Sequence, residues 1–427
     1  MRAPGTAGPH PSYVYTESSR FDPEAWTHAG ERFPEGAALR LVAGGNKRAL
    51  VAGFFATADA EVSFDGRRVL FAGKQRREEG WQIWEAPLEG GPPRQITRFE
   101  EDCIRPLYLP EDRVVYARKR AGAFQLEALA LAGGAPLLLT YAPGDYLPCQ
   151  VLRDGRILFE GPHPIGSSGP TELYTVYSDG SGVEAVRCDH GRMRRDGRQV
   201  ASGDLVFVTG KGFGSFTPAR ARQIDLRSPE GELSGPIAEL EPGRWLISWK
   251  PRAGGSFALY EWAPSGASQP VPVAAWPAGA LQPVLVQPRN IPRRHPSALH
   301  DREGANLLCL NSYESPIPIG AGSVASMKLY SQSAAGKTVL LGQAKVEDDG
   351  SFYAHVPAGR PLRIELADRS GRVLAAEKGW FWMRRGEQRV CVGCHAGPER
   401  SPENAVPKAL LHSTIPVDLT KSSGGKP

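Results

Sequence analysis

A recurrence constrains this chain more than any other feature. Phe71, Tyr116, Phe159, Phe207 and Trp249 each end a short apolar run, and they stand 45, 43, 48 and 42 residues apart. One unit repeats around them. A turn such as Asp65-Gly66 or Asp154-Gly155 leads into a strand, a loop and a second alternating strand such as Trp81 to Leu88. A Gly-rich hairpin such as Glu89-Gly90-Gly91 and a third short strand such as Arg94 to Thr97 complete it. A period of about 40 to 45 residues with three or four strands per unit is the pattern of a β-propeller. Apolar residues at both parities of strands such as Trp81 to Leu88 fit small sheets that bury both faces between neighbours. With 49 glycines and 38 prolines in 427 residues, long helices have little room, so the fold class is all-β. Two β-sandwiches would also explain short strands and turns; the period favours six or seven blades over residues 39–290, with Leu41 to Phe55 and Val284 to Val286 supplying strands that close the ring.

The flanks differ in texture. Residues 1–38 are polar and carry Pro9, Pro11, Pro23 and Pro34, which predicts an arm. The proline- and arginine-rich stretch Pro288 to Pro296 ends the propeller, and residues 291–303 form a linker. Residues 304–385 contain six short strand runs: Ala305 to Leu310, Ala325 to Tyr330, Val339 to Val346, Ser351 to Val356, Leu362 to Leu366 and Val373 to Trp380. Separated by Asp348-Asp349-Gly350, Ala358-Gly359 and Ser370-Gly371, they predict a small antiparallel β-sandwich. Gly336-Lys337-Thr338 is a hairpin and not a phosphate loop, since Ser331 stands where that motif needs glycine. Residues 386–420 are read as a separate C-terminal segment, and residues 421–427 as a disordered tail.

That segment carries Cys391-Val392-Gly393-Cys394-His395, the C-x-x-C-H pattern of covalent c-type haem attachment. Two thiols three positions apart can bond one porphyrin edge, and the adjoining imidazole of His395 can ligate the iron. The alternatives are zinc and a redox disulfide. Zinc wants further ligands, for which His295 and His300 are distant substitutes; a thioredoxin-like pair belongs at a helix start in an alternating fold, which the surroundings do not resemble. Trp380-Phe381-Trp382-Met383 could pack on the macrocycle or belong to the sandwich core. Upstream, Cys188-Asp189-His190 in a loop between blades can bind a metal or sit over a haem iron, or can equally be an Asx-type turn with a packed thiol. Glu101-Asp102-Cys103 is a thinner version in the neighbouring loop.

Charge excludes some functions. The net charge of +5 is mild, basic and acidic residues interleave, and the densest basic patch, Arg192 to Arg195, closes on Asp196, so nucleic-acid binding is not expected. No stretch is long and apolar enough to span a membrane. With Cys391 and Cys394 on haem, Cys103, Cys149, Cys188 and Cys309 are expected as free, mostly buried thiols. Haem of this kind is attached outside the cytoplasm, so a periplasmic or other extracytoplasmic location is expected, although residues 1–15 show no signal peptide.

Ser63-Phe64-Asp65-Gly66-Arg67 and Ser178-Asp179-Gly180-Ser181 resemble TolB-like propeller turns. Adding Asp349-Gly350-Ser351-Phe352, Val356 to Leu362 and Gly386 to His395, the chain from about Leu39 to Leu411 resembles the hydrazine synthase alpha-subunit family. The resemblance implies a TolB-like propeller, a middle sandwich and c-type haem at a site that condenses nitrogen compounds. It also implies that the motif histidine can hold zinc while a tyrosine four residues later ligates iron. Here that position is Glu399, and a second C-x-x-C-H is missing. Both departures argue against hydrazine synthesis itself and return His395 to the iron; a surviving zinc site would draw on Cys188 and His190.

The expected function is therefore an extracytoplasmic monohaem c-type protein, acting as an electron-transfer protein or as a subunit of a haem-dependent oxidoreductase. Its partners would be a redox protein or further subunits, with a small-molecule substrate in the enzymatic case. A second axial ligand from His190, His412 or Met383 would favour electron transfer, and an open position beside Asp189 would favour catalysis. The alternative is a propeller binding module with a C-terminal structural zinc site. The substrate, the catalytic residues and the oligomeric state are not legible.

Overall fold

The computed structural model describes residues 11–23, 25, 30–220, 222–252, 254–265, 269–273, 279–293, 297–315, 318–333, 336–393 and 405–421. It is nearly all-β, with one five-residue helix, Lys408–His412, among the described residues.

Six consecutive antiparallel sheets form the blades. The first pairs Ala56–Val62, Arg68–Lys74, Gln82–Pro87 and Arg94–Gln95 in order. The second, third and fourth start at the inner strands Cys103–Leu109, Leu147–Val151 and Arg195–Gln199 and follow the same order. In the fifth, Gly231–Leu233 and Ala238–Glu241 share the inner position against Arg244–Pro251. The sixth closes the ring: Ala280–Leu285 pairs with Tyr13–Glu17, which pairs with Ala38–Ala43 and then Asn46–Ala49. The blade number is thus six.

Burial explains the apolar density of these strands. All seven residues of Ala56–Val62 are buried, because neighbouring sheets pack on both faces. Val14, Leu39 and Leu41 of the sixth sheet interlock with Val62, Val69 and Phe71 of the first, while Val206 and Phe213 of the fourth meet Trp245 and Trp262 of the fifth. The turns are built from side chains. At Ser63 to Arg67 the Asp65 carboxylate accepts from the Ser63 hydroxyl (2.5 Å) and from the Arg67 N–H (3.0 Å), and Gly66 takes φ +73°, the left-handed region open to glycine.

The arm expected over residues 1–38 is corrected in part. Tyr13, Val14 and Tyr15 are buried in the ring-closing sheet; a run of only three apolar residues was masked by the prolines on either side.

The sandwich has the two expected layers. Thr338–Lys345, Ser326–Gln332, Leu362–Ala367 and Val373–Ala376 form one sheet; Gln388–Cys391, Ala305–Cys309, Phe352–Val356 and Val417–Asp418 form the other. Strict alternation of buried and half-buried residues in Ser326–Gln332 and Phe352–Val356 points one face inward. Met327, Leu329, Phe352, Ala354 and Leu366 make the core. The segment 386–420 is therefore not separate from the sandwich: it supplies both edge strands of one sheet, each paired in parallel.

By contact density the chain divides into two units. One comprises Met1–Leu137, Tyr146–Glu160 and Met193–Arg294; the other comprises Leu138–Asp145, Gly161–Arg192 and His295–Pro427. The division falls within the third sheet, so the sandwich unit includes two stretches that the sequence repeat assigned to the propeller.

Candidate functional site

Cys391 ends the edge strand Gln388–Cys391, whose register against Ala305–Cys309 sets Cys391 opposite Cys309. The Leu310 N–H donates to the Cys391 carbonyl (2.9 Å). The Cys391 thiol is uncombined and half-buried against the sandwich core; burial pushes its pKa up, against the pull of the Arg389 guanidinium. Arg389 itself is held by Glu387 (2.6 Å).

Beyond the strand, Gly393 is fixed by close approach. It takes φ +155°, and a Cβ there would lie 2.6 Å from the Asn311 carbonyl oxygen and 2.9 Å from that of Glu314. The second variable position of the motif is thus glycine because two backbone carbonyls leave space for nothing larger. Cys394, His395 and Glu399 lie outside the described residues, as does His295.

Residues 390–393 and 405–417 are unusually apolar on the outside. Of the eleven exposed large hydrophobics among the described residues, six fall here: Val390 (57 % exposed), Val392, Val406, Leu411, Ile415 and Val417. A soluble surface does not ordinarily concentrate apolar side chains in one short stretch. An uncombined thiol at a strand end, with apolar residues following it, fits the thioether and hydrophobic contacts that haem c requires.

The other candidate residues lie within the same unit. His190 stacks on His163, ring centroids 3.8 Å apart and planes at 21°. His190 Nδ1 lies 3.4 Å from Glu172 Oε2. The Tyr174 hydroxyl donates to the Pro162 carbonyl (3.1 Å) and lies 2.9 Å from His163 Nδ1. Burial, then Glu172, drives the tyrosine pKa above its ordinary value. Among the described residues no three of His, Cys, Asp and Glu gather as a metal set; Cys188 and Asp189 adjoin this stack in sequence without completing one.

Met383 is corrected as an axial ligand: it is fully buried in the sandwich core. Trp382 is likewise fully buried, its Nε1–H donating to the Leu139 carbonyl (3.1 Å), and Phe381 packs on the same core. Trp380 is half-buried, with the Arg363 guanidinium 5.3 Å from its ring. The aromatic run is therefore largely core. His412, at the end of the helix Lys408–His412, is exposed and pairs with Glu347 (3.2 Å). His355 is a packing residue held by Asn306 (2.7 Å). The Glu101-Asp102-Cys103 variant is structural: Glu101 pairs with Arg118, Asp102 accepts from the Trp81 N–H, and Cys103 is buried, its thiol raised to about 12 by desolvation. Sequence reasoning missed His163. Its one signal was a polar ring set between two prolines at the end of a blade strand.

Comparison with known families now bears on this geometry. Residues 314–396, which run through the sandwich to the motif, match the model described as the hydrazine synthase alpha subunit middle domain. Over that segment the chain is similar to the hydrazine synthase alpha subunit middle domain. A structure of Kuenenia stuttgartiensis hydrazine synthase superposes with a TM-score of 0.79 at 17 % identity, covering 95 % of this chain and 72 % of that one. TolB from Acinetobacter baumannii follows with a TM-score of 0.51 at 13 % identity, covering 65 % of this chain and 67 % of its own. At these identities both likenesses speak to fold. No curated protein matches the sequence. The fold, propeller and then sandwich, is thus shared with the Kuenenia structure over nearly the whole of this chain. Among the described residues no helix is long and apolar enough to cross a membrane.

Proposed function

We propose that this chain is an extracytoplasmic monohaem c-type redox subunit, with Cys391 and Cys394 as the thioether cysteines and His395 as the iron ligand. The observation that carries this reading is the placement of the uncombined Cys391 thiol at the end of a middle-domain edge strand, with Gly393 steering the chain that follows. When bound, haem c would supply a one-electron centre. The chain's own residues do the rest. Parallel pairing with Ala305–Cys309 holds the first cysteine in place, and Val390, Val392, Leu411 and Ile415 offer apolar contact to the macrocycle. The Arg389–Glu387 pair sets a balanced charge beside it. His190 and His412 would be the imidazoles available as a further iron ligand, since Met383 is committed to the core. The likeness to a multi-subunit relative supports additional subunits as partners.

The test is co-expression with haem-attachment machinery in an exported form, followed by ferric and ferrous spectra with and without carbon monoxide. The expected product carries one haem that survives acid-acetone extraction, and Cys391→Ala reduces that covalent yield to a small residue. A carbon monoxide shift indicates an open position and catalysis; its absence indicates two axial ligands and electron transfer. A colourless product from competent cells, or one with zinc in place of iron, overturns the reading.

A further inference from the structure

The propeller interior holds a feature outside the repeat's packing logic. The inner strands of the first, second, third, fourth and sixth blades slip register at one place, around Asp59, Arg105, Cys149, Asp196 and Gln282. Four of these take positive φ: Asp59 +55°, Arg105 +50°, Asp196 +54° and Gln282 +51°. Bulges of this kind re-aim side chains, and strained backbone repeated at equivalent positions calls for a functional account. These residues line a cavity of about 40 Å³ together with Arg198, large enough for a water or two.

Inside, the charges are matched. Arg32 forms a fork with Asp59 (2.9 and 2.8 Å), Arg105 bridges Glu160 (2.8 Å) and Asp196 (3.2 Å), and Arg195 meets Asp196 (3.2 Å). A second cavity of about 300 Å³, which shares Arg198 and Val284 with the first, is different. Of its charged residues, Arg289 is bound to Glu61, and Glu239 accepts from the Ala201 N–H (2.5 Å). Arg153 donates only to the Val200 and Ala201 carbonyls, and Arg198 only to the Cys149 carbonyl. Among the described residues neither guanidinium meets a carboxylate within ion-pair distance. Burial lowers the Arg198 pKa despite the attraction of Glu61, which marks a cation short of compensation.

We propose that this cavity binds a small oxyanion, a carboxylate or an inorganic anion, through the Arg198 guanidinium, with Arg153 and the Gln150 and Gln199 amides on its wall. A planar guanidinium donor fork matches two oxygens of such an anion, and the volume suits a ligand of metabolite size.

The test uses the full chain and two readouts, thermal unfolding and titration calorimetry. Acetate, succinate, sulfate and phosphate are compared with chloride at matched ionic strength. The expected result is a saturable heat and a concentration-dependent rise in Tm with at least one oxyanion. A carboxylate-only response names an organic ligand, and a sulfate or phosphate response an inorganic one. Arg198→Gln should weaken binding about tenfold or more while unfolding in chloride at or above the wild-type temperature, since it removes an unpaired cation. Arg198→Lys, which loses the fork, should not restore affinity. No saturable response to any oxyanion, or an undiminished one in Arg198→Gln, overturns the proposal. If Arg198→Gln fails to fold, diffraction from wild-type crystals soaked in selenate, or in bromoacetate where the response is to carboxylates only, decides: an anomalous peak beside Arg198 supports the site, and its absence there refutes it.

Discussion

The propeller interior and the sandwich edge both gather chemistry-bearing side chains, but they hold them in opposite ways. In the interior, Asp59 pairs with Arg32, and Glu160 and Asp196 with Arg105, through short ionic contacts inside a ring of closely packed sheets. At the edge, Cys391 is held by one strand pairing and followed by exposed valines. A network closed on itself contributes fixed geometry; an edge left apolar and uncombined is suited to receiving something else. That contrast separates a closed, positioning interior from the edge proposed to receive haem, and it can be probed from both sides.

The largest effect is expected from breaking the interior. Asp59→Ala leaves the buried Arg32 fork without its acid, and the propeller should lose about 3–5 kcal/mol, read by denaturant unfolding followed through tryptophan fluorescence. A loss below about 1 kcal/mol would mean that the interior behaves as a surface. Acid sharpens the same point. Burial alone would raise the Asp59 carboxyl, yet Arg32 and Arg105 outweigh it and hold it at about 2, below its ordinary 3.8. A depressed carboxylate stabilises the fold above its ordinary pKa, and that contribution, about 2.5 kcal/mol, is lost as pH falls from about 4 towards 2. Burial shifts Glu160 the opposite way, so acid returns part of the loss. Asp59→Asn should flatten the stability slope in this window, and an unchanged slope would remove Asp59 from the account.

The smallest global effect, and the most local one, is expected at the edge. Gly393→Ala keeps every residue of the C-x-x-C-H pattern but sets a methyl 2.6 Å from the Asn311 carbonyl. Overall stability should fall by about 1–3 kcal/mol at most, while the fraction of chains carrying covalent haem should drop clearly, as measured by haem-stained gels against total protein. Full incorporation would show that the motif's direction is set elsewhere.

Much of the architecture was legible because it repeats. Phe71, Tyr116 and Phe159 are fully buried and Phe207 nearly so, each in the second strand of its blade, and all six sandwich strand runs fall where the alternation placed them. Tyr13–Glu17 was missed because its partners are Ala38–Ala43 and, far along the chain, Ala280–Leu285, and local texture does not report long-range pairing. The His163–His190 stack joins residues 27 positions apart across a sheet, and no spacing rule connects them. The interior ring was within reach: Asp59, Arg105, Cys149 and Asp196 are 46, 44 and 47 residues apart, the blade period itself. What hid them is that a polar residue in a strand ordinarily reads as solvent-facing, whereas bulges turn these inward.

The parallel pairing of residues 388–391 with 305–309 sets a schedule for maturation. The partner strand leaves the ribosome some eighty residues ahead, so it is in place when the cysteines emerge, and the tail can zip onto it at once. For the haem attachment proposed above, ligation machinery would have either to catch the tail before it zips or to unpeel a margin held along one side only. Chains that zip first without their cargo would accumulate as a well-folded but unfinished product, indistinguishable by shape from the mature one.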